Sequence, residues 1–209
     1  MASHRTKIAH LKKSDPILRI VIEGATLKEL AFTRGYFEAL VESIVSQQLS
    51  VKAADTIFAR FVALTPGKKF PTPKQVLAMP AARMRKCGLS KMKVKFIKDL
   101  ARKILDGTVD FKKMDSWSDE EVIEHLIQVK GIGKWTAEMF LIFALGRDDV
   151  FSYGDLALRD AIRIIYKLKK HPTEKQARAI ALKWVPYRTL ASRYLWASRR
   201  MDLKKVPKK

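Results

Sequence analysis

The stretch from Leu126 to Asp155, LIQVKGIGKWTAEMFLIFALGRDDVFSYGD, limits the fold more than any other part of the chain. Just upstream, Ser118 and Glu121 form an S-x-x-E capping box that starts a helix running into it. Val129-Lys130-Gly131-Ile132-Gly133 is then too rich in glycine for a helix interior, and a second helical run extends from Lys134 to Leu145. Glycine in such a turn permits positive φ and lets a partner come close to the backbone. The first amides of the second helix, at Gly133 and just after, face outward and form a ready anion site. Lys130 and Lys134 flank it. Phosphate is the guest that suits these groups, although an ordinary αα-corner with a glycine turn accounts for the same spacing. After Gly146 a polar loop, Arg147 to Gly154, leads to Asp155, which stands where an N-cap belongs ahead of an amphipathic run.

The rest of the chain reads as helix. Met1 to Lys13 has the look of a basic, frayed arm, and Ser14-Asp15-Pro16 opens a short helix that ends near Gly24. From Tyr36, the residues Phe37, Leu40, Val41, Ile44 and Val45 fall on one helical face, and Val51, Ala54, Phe58 and Phe61 repeat the pattern after a break at Leu49-Ser50. Thr72-Pro73 and Pro80 begin two short helices, the second ending at Gly88. Ser90 caps a long helix with Val94, Ile97, Ala101 and Ile104 on its inner face, stopping at Gly107. No segment alternates with period two for long enough to predict a strand, so the expected class is all-α.

Charge narrows the partners. The 209 residues carry 42 Lys and Arg against 21 Asp and Glu, a net charge of +21, with 47% apolar residues to build a core. Such an excess implies a polyanion or an acidic surface. Nine basic residues crowd Arg83 to Lys103 (Arg83, Arg85, Lys86, Lys91, Lys93, Lys95, Lys98, Arg102, Lys103) with the single acid Asp99 among them. Each alone is a solvated side chain, but together they fit a surface that tracks phosphates. Acids gather instead at Asp115, Asp119, Glu120, Glu121 and Glu124, where they complement a helix N-terminus. The lone Cys87 rules out an internal disulfide, a CxxC zinc site and a four-cysteine cluster. No apolar run is long enough to cross a bilayer, and no apolar signal core follows the basic N-terminus, so a reducing compartment is expected: cytoplasm or nucleoid, or the nucleus in a eukaryote.

The segment VKGIGKWTAEMFLIFALGRDDVFSYGDLALR, together with Ser46-Gln47-Gln48-Leu49-Ser50 and Cys87-Gly88-Leu89-Ser90, resembles the helix-hairpin-helix DNA glycosylases, and more narrowly their 3-methyladenine DNA glycosylase II branch. The resemblance covers about residues 36–200. It implies two helical lobes, residues 36–148 with the hairpin and residues 1–35 plus 149–209, with the active cleft between them. It implies an enzyme that flips an alkylated purine, of 3-methyladenine or 7-methylguanine type, out of double-stranded DNA and hydrolyses its N-glycosidic bond. Asp155 would be the catalytic carboxylate, stabilising an oxocarbenium-like transition state or orienting water; Asp148 and Asp149 lie too early to match. Gln48 would push into the vacated stack, and Lys130, Gly131, Gly133, Lys134 and Thr136 would hold the DNA. No cofactor and no catalytic metal are implied, only a structural monovalent cation on backbone carbonyls near Val129 and Ile132. A monomer is expected.

Two residues bear on the chemistry. Where strand-cutting relatives carry a nucleophilic lysine, this chain has Trp135, which cannot form a Schiff base. Lys134 beside it points roughly 100° away around a helix. On the last helix Leu190, Ala191, Tyr194, Leu195, Ser198 and Met201 share one face, whereas Trp196 falls on the side of Ser192, Arg193 and Arg200. On that side Trp196 is expected to meet a second lobe or a ligand, and the family resemblance makes it a wall of the base pocket, with Trp135, Tyr153 and Met139 as further lining. An aromatic pocket suits cationic alkylated bases by cation–π attraction. Leu156 and Met139 stand where some relatives have aromatics. The rival readings are a bifunctional glycosylase/lyase for oxidised bases and a non-catalytic DNA-binding protein.

Overall fold

The computed structural model describes residues 2–28, 30 and 35–201. Among these it holds twelve α-helices, two short 3-10 turns and no strand, and no helix is long and apolar enough to cross a membrane. Eight of the described helices start at a Ser, Thr or Asp whose side chain accepts an amide of the first turn, which is how the local sequence sets most helix boundaries. The chain divides into two compact units, one drawn from residues 1–31 and 146–209, the other from 32–145. The hairpin-bearing unit thus ends at Leu145 instead of the expected 148. Gly146 takes φ +68°, a left-handed residue that stops the preceding helix.

In the first unit, α1 (His4–Ser14) replaces the frayed arm expected from the sequence. Ser3 caps it, and Leu11 is fully buried with Ile8 packed alongside. Two inward apolar residues among many charges give too little periodicity to read, and tertiary packing supplies the rest. The next helix, α2 (Pro16–Gly24), is capped by Asp15, whose Oδ1 accepts from Ile17 N at 3.0 Å and Leu18 N at 3.1 Å. The other oxygen, Oδ2, accepts from the Tyr166 hydroxyl and from Trp184 Nε1 at 2.9 Å. This carboxylate is fully buried and ties the start of α2 to the end of the chain's later helices.

Seven helices make the second unit: α3 (Tyr36–Ser46), α4 (Val51–Val62), α5 (Pro73–Ala78), α6 (Ala81–Lys86), α7 (Lys91–Leu105), α8 (Asp119–Leu126) and α9 (Lys134–Phe143). The central α7 packs on α3, α5 and α6, burying Val94, Ile97, Leu100 and Ala101. Leu40, Val41, Ile44, Val45, Ala54 and Phe61 are buried as their spacing predicts, but Val51 is 78% exposed. It sits at the first position of α4, where the chain has just turned outward. The first unit is completed by α10 (Leu156–Ile165), α11 (Glu174–Ala181) and α12 (Arg188–Ser198), packed around Leu18, Leu158, Ile162, Trp184, Tyr194 and Leu195.

Candidate active site and nucleic-acid interface

The capping box of Ser118 and Glu121 forms as expected, and α8 runs into a tight turn in which Val129 N donates to Leu126 O and Ile132 N to Val129 O, both at 3.0 Å. Val129 and Ile132 are buried and anchor the turn from below. Gly131 takes φ +85°, and a Cβ there would stand 2.2 Å from the Phe96 ring, so glycine is required twice over. Gly133 starts α9 with no side-chain cap, and space for 4 Å around its missing Cβ is open. The first helical bond runs from Ala137 N to Gly133 O at 3.0 Å, so the earlier amides of α9 are aimed along the axis at whatever approaches. Lys130, Gly133 and Lys134 are all exposed at this tip. Thr136 is not: its side chain is only 5% exposed. It lies roughly 200° around the helix from Lys134, and only its amide belongs to the anion site. Val129 O keeps a second lone pair beyond its bond from Ile132, so a cation fits there without being specified.

Four of the nine basic residues between Arg83 and Lys103 have structural partners. Lys93 Nζ donates to Val45 O at 2.8 Å and Gln47 O at 2.7 Å, and Lys98 Nζ to Leu77 O at 3.1 Å and Met79 O at 2.7 Å. Arg83 reaches Leu64 O at 3.0 Å, and Arg102 lies 3.7 Å from Asp99. The first three neutralise carbonyls at the ends of α3, α5 and α4, a usual place for cations. Burial pushes the Lys93 ammonium below its ordinary pKa. Arg85, Lys86, Lys91 and Lys95 remain exposed and are the residues of that run left for the expected phosphate surface.

Gln48 occupies the turn between α3 and α4, exposed and at φ +57°. A residue with a side chain is rarely held there. Leu49, 40% exposed, and Val51 stand beside it, giving the tip an apolar margin that the sequence pattern did not signal.

The loop before Asp155 is pinned to the start of α12. Thr189 Oγ1 donates to Arg147 O at 2.6 Å and accepts from Val150 N at 3.1 Å. Arg188 grips both oxygens of Asp149, at 2.8 and 2.9 Å, and Asp148 pairs with Lys7. Both neighbouring carboxylates are therefore committed to holding the loop. Asp155 is 7% exposed; its Oδ1 accepts from Leu158 N at 2.8 Å, capping α10, and lies 3.4 Å from Trp196 Nε1. The cap and the indole N–H together fix the direction of the carboxylate.

Trp196 stands beside that carboxylate, but α12 is not the half-exposed helix that its polarity pattern suggests. Ser192 is fully buried, its hydroxyl bonded to Arg188 O at 2.8 Å, and Trp196 itself is half-buried against the core of its unit. Small residues let a helix be covered nearly all round, and a reading by polarity misses size. Tyr153 is also recast. Arg178 covers its ring at 4.0 Å, Phe151 meets its edge, and Arg188 donates to its hydroxyl at 3.3 Å. The tyrosine thus helps build the loop. In the other unit Trp135 is 48% exposed and Met139 half-buried, one turn apart on the same face of α9. Phe143, 44% exposed, continues that stripe. Gln47, Phe96 and Asp99 are the residues that sequence reasoning passed over; the only signal was one acid in a basic run.

Comparison with known proteins places these parts. DNA-3-methyladenine glycosylase 1 of Schizosaccharomyces pombe is 40% identical over 166 residues, 79% of this chain and 73% of that protein. The solved structure of S. pombe 3-methyladenine DNA glycosylase in complex with abasic DNA superposes with a TM-score of 0.84 at 34% identity, covering 94% of this chain and 98% of that one. A DNA-3-methyladenine glycosidase structure from Bacillus halodurans gives a TM-score of 0.82 at 33% identity, over 95% and 91% of the two chains. The glycine hairpin, the pinned loop and the carboxylate after it lie within, and the start of α12 just beyond, residues 41–187, which match the model of one family, and the chain belongs to that family, the HhH-GPD superfamily of base excision DNA repair proteins.

Proposed function

We propose that this protein is a monofunctional DNA glycosylase that removes alkylated purines of 3-methyladenine and 7-methylguanine type from double-stranded DNA, acting as a monomer. The observation that carries the reading is the carboxylate of Asp155, buried, aimed by its helix cap and by the indole of Trp196, in a chain similar to DNA-3-methyladenine glycosylases. Departure of the base leaves positive charge on the sugar, and a fixed anion stabilises that charge without reorganising. Purines alkylated at N3 or N7 are already cationic, leave without an added proton, and stack on aromatic rings. Trp196 is the assigned wall beside Asp155, and Tyr153 is assigned to the loop. The amides after Gly133, with Lys130 and Lys134, take a phosphate, and Gln48 fills the stack left by the flipped nucleotide. A monovalent cation bound on carbonyls at Val129 and Ile132 would steady the turn and take no part in the reaction. Trp135 offers no amine for a Schiff base.

A base-release assay tests this directly. Duplexes carrying 3-methyladenine, 7-methylguanine, ethenoadenine or hypoxanthine are incubated with enzyme and the free base is separated by chromatography. Release of the two cationic purines, with no borohydride-trapped adduct, is the expected result. Tight binding to all duplexes with no base released would make the protein a non-catalytic DNA binder, and a trapped adduct would make it a lyase.

A further inference from the structure

Four hydrogen bonds and one ring contact in the second unit join parts that the function treats separately. The side-chain amide of Gln47 donates to Gly131 O, in the hairpin, at 2.8 Å. Gln47 is the residue immediately before Gln48, and its own carbonyl is held by Lys93 Nζ at 2.7 Å. From the same helix, α7, Asp99 Oδ2 accepts the amide of Lys130 at 2.9 Å, and the Phe96 ring fills the space beneath Gly131. Asp99 is buried at 7% exposure. Thus α7 grips the hairpin at Lys130 and the end of α3 at Val45 and Gln47, while Gln47 closes the loop by bonding one to the other. The two tips held in this way are the uncapped start of α9 and the exposed, left-handed Gln48.

We propose that Gln47, Lys93 and Asp99 are positioning residues that hold the Gln48 turn at a fixed span from the hairpin's anion site, so that a phosphate gripped at one end sets where Gln48 enters the duplex. The inference rests on the roles given above to the hairpin and to Gln48. Its physical content is preorganisation. A side chain that must replace a flipped nucleotide loses effectiveness when its anchor shifts by about 1 Å, because stacking and contact energies fall off over that distance. A turn carrying a residue at φ +57° also tends to relax unless neighbouring contacts hold it.

The test compares binding, by fluorescence anisotropy, to an intact duplex and to a duplex with a tetrahydrofuran abasic site, for the parent, Gln47→Ala, Gln48→Ala and the double variant. A 2-aminopurine beside the abasic site reports stack opening. Gln47→Ala should lower the preference for abasic over intact duplex about fivefold, the worth of one hydrogen bond, and lower the 2-aminopurine signal. Intact-duplex binding should stay as in the parent. In the Gln48→Ala background Gln47→Ala should then change the preference no further, since there is no longer a side chain to place. Lys93→Met, which keeps the aliphatic stem, should act in the same direction. Equal loss on both duplexes, additive losses in the double variant, or no change of preference on Gln48→Ala would each overturn the proposal. The measurement is of binding alone, so a protein that showed this pattern yet released no base would contradict the proposed enzyme activity and leave the positioning role standing.

Discussion

Replacing the two hairpin glycines with alanine should give opposite phenotypes. At Gly131, an alanine must hold φ near +85°, which costs an L-residue roughly 1–2 kcal/mol. Its Cβ would also lie 2.2, 2.4 and 2.7 Å from three ring atoms of Phe96. A ring cannot swing aside at its root as a lysine tip can, so overpacking adds roughly 1–3 kcal/mol. The stiffer unfolded chain returns about 0.4–1 kcal/mol, leaving a loss of roughly 1–5 kcal/mol. At Gly133 the backbone is at φ −97° and nothing lies within 4 Å of the added atom. Only the poorer N-cap counts, under about 1 kcal/mol, yet the methyl stands in the open space through which a phosphate would come close to the backbone. Urea unfolding followed by circular dichroism, with linear extrapolation, gives the stabilities, and anisotropy on an intact duplex gives affinity. Gly131→Ala should be the unstable variant, and Gly133→Ala the stable one that binds poorly. Adding Phe96→Ala to Gly131→Ala should recover the clash, so the pair is non-additive by roughly 1–3 kcal/mol. Parent-like stability of Gly131→Ala, or parent-like binding by Gly133→Ala, would refute the reasoning.

Other consequences can be checked in turn. Asp15→Ala should cost roughly 3–5 kcal/mol, because it strands the two amides, the Tyr166 hydroxyl and the Trp184 indole that the carboxylate satisfies; a thermal or urea midpoint equal to the parent's would contradict it. Trp196→Phe keeps an aromatic wall but loses the N–H to Asp155, so single-turnover excision should fall about fivefold with little change in stability. Trp196→Ala should also lose roughly 1–3 kcal/mol of packing, and equal behaviour of the two variants would count against both roles. Affinity for undamaged duplex should fall steeply with salt, and Lys134→Glu should reduce the log–log slope by about one at every sequence; a flat salt response would remove the phosphate-binding account.

Local chemistry was the legible part of this chain. Asp15, Thr72, Ser90, Ser118 and Asp155 could be read as helix starts because a cap is a bond between residues two or three apart. The hairpin was legible for the same reason, since two glycines in five residues leave few alternatives. What stayed hidden depends on residues far apart. Helix α1 is held by packing at Leu11, and Lys93 and Lys98 looked like solvated cations until the carbonyls of α3 and α5 were placed beside them. Asp99 stood out in sequence only as an oddity, and its partner is 31 residues away at Lys130. At the site, the position of Asp155 was readable from the family pattern, but its bond to Trp196 was not. The burial of the Thr136 side chain and the packing of Tyr153 against Arg178 and Phe151 were not readable, because residue type says what a side chain can do and leaves open which way the fold turns it.

The central claim is that Asp155 acts on the reaction as well as capping α10, and Asp155→Asn separates the two. Asparagine caps about as well as aspartate and keeps an oxygen for the amide of Leu158, but removes the negative charge. Single-turnover excision of 7-methylguanine at saturating enzyme isolates the chemical step from binding. The account predicts a variant that melts like the parent, binds abasic duplex like the parent, and excises slower by about two orders of magnitude or more, the scale for loss of one key electrostatic group. Excision at the parental rate by a folded Asp155→Asn enzyme would contradict it.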